Sequence, residues 1–118
     1  MHVIKGETLT AFDIDDTMIM WHADCPPEEK ISITCPYGGD TRLFKVHKLH
    51  VEFLKKTKGR GNTVIVWSAA GVLWAEAVIK ALGLEQYVDY ILSKPTKIVD
   101  DLTPNEIFPC RIYLRDEK

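Results

Sequence analysis

The stretch Leu9-Thr10-Ala11-Phe12-Asp13-Ile14-Asp15-Asp16-Thr17-Met18 begins as an apolar run and ends with three carboxylates in four positions. Thr10 to Phe12 combine β-branched and aromatic character suited to a buried strand, yet nothing in strand stability calls for Asp13, Asp15 and Asp16 at its end. Like charges this close repel, and a divalent cation is their natural compensation. The segment reads as a strand that delivers a site.

The residues before it, 1 to 8, form a short lead-in with Gly6 marking a turn. After Thr17 the chain runs through Met18 to His22 and then Pro26-Pro27-Glu28-Glu29-Lys30, which cannot continue a helix or a central strand and reads as a loop leaving the site. Ile31 to Cys35 alternates in the β manner, Pro36 to Asp40 is turn material, and Thr41 to Phe44 returns as a partner strand, so this stretch predicts a small β-hairpin flap within residues 18–45. From Val46 to Lys58 the apolar positions Val46, Leu49, Phe53 and Leu54 predict a helix, closed by Gly59 and Gly61. Thr63 to Trp67 is continuously apolar and β-branched, the pattern of a parallel strand covered on both faces, and it runs into the small residues Ser68-Ala69-Ala70-Gly71. A second helix follows with Leu73, Trp74, Ala77, Val78 and Ala81 as its inward stripe and Gly83 as its cap. Short strands are expected at Tyr90–Leu92, Lys97–Val99 and Arg111–Leu114, ahead of a charged tail.

Strand and helix in alternation predict an α/β fold, a three-layer Rossmann-like domain around a central parallel sheet with right-handed crossovers. With 118 residues and 46% hydrophobic content there is material for one domain spanning 1–118 and no large cap. No stretch approaches the roughly 20 apolar residues of a membrane span, and the N-terminus lacks a signal-peptide layout, so a cytoplasmic protein without a membrane partner is expected. Cys25, Cys35 and Cys110 are odd in number and widely spaced, which argues for reduced thiols and against a disulfide framework or zinc site. The net charge of −2 offers no global attraction to polyanions. The one basic run, Arg42 to Arg60, has its lysines between apolar positions and reads as the solvated face of a helix, the alternative being a local patch that meets a polyanionic partner.

In open α/β sheets ligands bind beyond the carboxyl ends of the strands. Asp13, Ser68, Lys94 and Asp100 are all expected at such ends. In this order the motifs resemble those of the haloacid dehalogenase superfamily. Asp13-Ile14-Asp15-Asp16-Thr17 is similar to its first motif, Ser68 after an apolar strand to the second, Lys94 before Pro95 to the third, and Asp100-Asp101 after Ile98-Val99 to the fourth.

The resemblance implies a Mg²⁺-dependent phosphohydrolase acting on a phosphate monoester through an aspartyl-phosphate intermediate. Asp13 would be the nucleophile. Asp15 would protonate the leaving group and later deprotonate water, while Lys94 offsets charge. Ser68 and Thr17, with Ala69 where the backbone can approach a ligand, would bind or position the phosphate. Asp13, the backbone carbonyl of Asp15, and Asp100 or Asp101 would hold the metal. The absence of a large cap implies an open site, which in this superfamily goes with large substrates such as a protein, a nucleic-acid end or another macromolecule-linked phosphate. The compact layout also resembles small members encoded by bacteriophages. The alternatives are a non-catalytic binding module of the same fold in a larger assembly, or a phosphotransferase.

Overall fold

A computed structural model describes residues 8–22 and 24–115. Residues 1–7 of the lead-in, with its Gly6 turn, and the last three residues of the charged tail lie outside the described residues. Three parallel strands, β1 (Leu9–Asp13), β5 (Thr63–Ser68) and β6 (Tyr90–Ser93), form a sheet in the order β1-β5-β6. Leu9 pairs with Thr63 and Asp13 with Trp67, while Ser68 pairs with Ser93, so the three strands end level with one another. Two helices join them: α1 (Lys48–Gly59) precedes β5, and α2 (Val72–Leu82) links β5 to β6.

Between β1 and α1 lies a second sheet. β3 (Lys30–Thr34) and β4 (Thr41–Val46) are the expected hairpin, with Thr34 opposite Thr41 and Lys30 opposite Lys45. Ile19 and Met20, expected in a loop, form β2 against Val46 and Lys45, giving the order β2-β4-β3. A bare two-stranded hairpin is marginal in water. The third strand and the apolar contacts of Ile33 and Phe44 with the core give this flap its support.

The core is drawn from both sheets and both helices: Phe12, Ile14, Val64 and Val66 meet Leu54 of α1 and Trp74, Val78 and Ile79 of α2. The faces of the helices differ from expectation. In α2 the buried residues are Trp74, Ala75, Val78 and Ile79, while Leu73 is exposed. In α1 they are His50, Leu54 and Thr57, and Leu49 faces outward. His47 and His50 are both buried, and the His47 Nδ1 caps α1 by accepting from the His50 backbone N–H at 3.2 Å. Gly83 ends α2 in the left-handed conformation at φ 68°, as its sequence position implied.

The short strands expected at Lys97–Val99 and Arg111–Leu114 do not form. Val99 is 98% exposed. Three residues held between Pro95 and Asp100 bury too little apolar surface to offset the cost of ordering a new strand. A short helix, α3 (Pro104–Ile107), stands in this region instead, opened by a capping box between Thr103 and Glu106.

One polar clasp ties α1 to the sheet. Asp89 accepts from Lys58 Nζ at 2.7 Å and from the Val64 backbone N–H at 2.8 Å. These two bonds, the lysine first, hold its carboxyl below the ordinary range. A carboxylate depressed in this way stabilises the fold above its unfolded pKa, and the contribution is lost as pH falls through the folded value. Asp89→Ala is therefore expected to lower the melting temperature at pH 7. The gap to the parent protein should close on acidification through the carboxylate range; a gap that persists unchanged at low pH would contradict the clasp.

Candidate active site

The site begins with the turn that ends β1. The Ile14 carbonyl accepts from the backbone N–H groups of Thr17 at 3.2 Å, Met18 at 2.9 Å and Ile19 at 3.3 Å, which wraps the chain back sharply. Asp16 sits in this turn at φ 60°, a left-handed conformation that aspartate tolerates better than most residues. Its side chain accepts from the Trp21 backbone N–H at 3.0 Å. The turn brings Thr17 back onto Asp13, and the threonine hydroxyl donates to Asp13 Oδ2 at 3.2 Å.

Level strand ends do the rest. The Lys94 backbone N–H donates to the Ser68 carbonyl at 2.9 Å, continuing the ladder past β6. From there the Lys94 ammonium reaches Asp13 Oδ1 at 3.4 Å. An exposed ion pair of this kind contributes about 0–1 kcal/mol to stability, so the fold does not depend on it.

Asp15 is held far more firmly. Its Oδ1 accepts from two indoles, Trp21 Nε1 at 2.9 Å and Trp74 Nε1 at 2.8 Å, and its Oδ2 accepts from the Ser68 hydroxyl at 2.8 Å. Ser68 is fully buried and accepts in turn from the Ala70 backbone N–H at 3.0 Å. An indole N–H can only donate. Oδ1 is therefore committed as an acceptor, and a proton carried by Asp15 belongs on Oδ2, where the serine hydroxyl can rotate to accept it.

Asp13, Asp15, Thr17, Ser68 and Lys94 thus come together as their order implied, but Ser68 turns its hydroxyl to Asp15 and not outward. Ala69 is exposed in the turn after β5. Asp100 and Asp101 are exposed, no longer at a strand end, and Asp100 Oδ1 accepts from the Leu102 backbone N–H at 2.8 Å. Among the described residues no three His, Cys, Asp or Glu side chains are gathered as a set that could hold a metal ion.

Sequence reasoning missed the tryptophans. Trp74 was expected as core alone and Trp21 as part of a loop; the available signal was that a buried indole N–H nearly always needs an acceptor. It also missed the chain end. Tyr113 donates its hydroxyl to the Asp16 carbonyl at 3.0 Å, and the Leu114 backbone N–H donates to His50 Nε2 at 2.9 Å. His50 Nδ1 donates to the Thr17 carbonyl at 2.7 Å, so this neutral imidazole links the final segment to the acidic turn.

Comparison with protein-family models, curated proteins and solved structures finds no match for this chain.

Ser68→Ala is expected to destabilise the protein by about 1–3 kcal/mol in denaturant unfolding, because it removes a partner from both Asp15 Oδ2 and the Ala70 N–H. A loss below about 0.5 kcal/mol, the range of an ordinary surface change, would show that neither group depends on the hydroxyl.

Proposed function

We propose that this protein is a phosphohydrolase that removes a phosphoryl group from a monoester, with Asp13 as the nucleophile. The observation that carries the reading is the pairing at 3.4 Å of the Asp13 carboxylate with the Lys94 ammonium across the level ends of β1 and β6, on either side of β5, with a second carboxylate held by three donors. Asp13 would attack phosphorus and expel the alcohol, forming an aspartyl-phosphate. Asp15 Oδ2 would give its proton to the departing oxygen, then take one from the water that attacks phosphorus and frees Asp13.

The other residues support these steps. Thr17 holds one oxygen of Asp13 and so fixes its rotamer, while Lys94 offsets the repulsion between carboxylate and phosphate. The indoles of Trp21 and Trp74 orient Asp15 and confine its proton to the oxygen shared with Ser68.

Mg²⁺ takes one or two carboxylates and fills its octahedron with water and substrate oxygens. Asp13 with the main-chain carbonyl of Asp15 would supply oxygens of that kind, whereas Asp100 and Asp101 are exposed and Asp100 Oδ1 is taken by the Leu102 N–H. A Mg²⁺ bound there supplies positive charge against the phosphoryl oxygens.

The purified protein is expected to hydrolyse p-nitrophenyl phosphate with Mg²⁺ and to stop in excess chelator. Asp13→Asn should lower kcat by about 10³-fold or more without a change in melting temperature. Asp15→Asn should cost about 10²–10⁴-fold on alkyl phosphates, which need a proton on the leaving oxygen, and much less on the nitrophenyl ester. Full turnover by Asp13→Asn would rule the mechanism out.

A further inference from the structure

A cavity of about 240 Å³ lies between the flap and the start of α2. Its walls are aromatic: Trp21, Phe44 and Trp74 form the inner side, and Tyr37 at the flap tip forms the outer one. Arg42 and Asp40 stand on its rim, with the Arg42 guanidinium 5.8 Å from the Trp21 ring centroid. The tip is packed down on α2. Gly71, at φ 109°, lies so close that a Cβ there would sit 2.5 Å from the Tyr37 hydroxyl oxygen.

This cavity and the acidic site share two side chains. The same indoles whose N–H groups hold Asp15 Oδ1 present their rings to the cavity. We infer that the cavity receives the base of a nucleotide whose phosphate meets Asp13 and Lys94, so the substrate is a nucleoside monophosphate or a nucleotide end. The inference rests on the phosphohydrolase reading for the position of the phosphate.

Size and chemistry select this occupant. Drug-sized ligands fill roughly 300–1,000 Å³, so a 240 Å³ space suits a single flat ring system and excludes a folded segment of a protein. Aromatic walls favour stacking, which is tolerant of base identity. A rim with one guanidinium and one carboxylate meets both an acceptor and a donor on the ring edge, which a nucleobase offers and a plain phenyl ring lacks. Trp21 and Trp74 line the cavity and donate their N–H groups to Asp15, which joins the cavity to the acidic turn that carries Asp13.

Adenosine and cytidine carry no phosphate and cannot turn over, so they test the cavity apart from the chemistry. Both are expected to quench tryptophan fluorescence saturably, and ribose to leave it unchanged. Tyr37→Ala and Arg42→Ala should each raise the nucleoside Kd by about tenfold. Tyr90→Ala, an exposed ring on β6, should stay within about twofold of the parent. Binding that is indifferent to Tyr37 and Arg42, or phenol bound as tightly as either nucleoside, would overturn the inference whether or not the protein hydrolyses phosphates. Nucleoside binding with this mutational pattern but no phosphatase activity would uphold the cavity as a base site and remove the phosphohydrolase reading alone.

Discussion

The carboxylate of Asp15 and its three donors are the constraint on which the arrangement depends. A carboxylate half-buried against aromatic side chains is held by hydrogen bonds, because the water it loses there must be replaced by other donors. Here the donors come from three places: Trp21 just after β2, Ser68 at the end of β5, and Trp74 in the first turn of α2. One side chain thereby sets the base of the flap, the central strand and a helix relative to one another.

The aromatic cluster around it follows from the same bonds. With both indole N–H groups aimed at Asp15, the rings are left to pack on each other and on Phe44, at centroid separations of 4.8 to 5.9 Å. Tilted and edge contacts of this kind suit aromatic quadrupoles. Phe44 belongs to β4, so the antiparallel sheet is anchored at its middle by packing and at its tip by the closeness of Tyr37 to Gly71. The flap is a wall of the aromatic cavity and not a free hairpin.

On the other side of the acidic turn, His50 plays a comparable organising part. It joins the Thr17 carbonyl to the Leu114 amide, while Tyr113 packs its ring edge-on to both histidines and bonds to the Asp16 carbonyl. The turn that carries Asp13 to Thr17 is thus braced by residues from α1 and from the far end of the chain. A backbone that includes a left-handed aspartate persists when its surroundings over-determine it in this way.

Local chemistry made much of this legible in advance. The β-branched run Thr63 to Trp67, the apolar lead into Asp13, the turn residues between Ile33 and Thr41, and Gly83 beyond a helical pattern each act over a few neighbouring residues, and each element formed where those residues required it. The clustering of Asp13, Thr17, Ser68 and Lys94 was legible too, because parallel strands that end level must bring their following residues together. The rotation of the two helices was not, since Leu49 is more apolar than the His50 and Thr57 that α1 buries and Leu73 no less apolar than the Ala75 that α2 buries, and only packing and specific hydrogen bonds decide which is covered. Nor was the loss of strands at Lys97–Val99 and Arg111–Leu114, where strand propensity is present but no neighbour supplies enough buried surface. The partners of Asp15 lie up to 59 positions away in sequence. Pairings at that distance are chosen by the tertiary structure, because a hydrogen bond acts through space and the order of residues specifies it only through the fold.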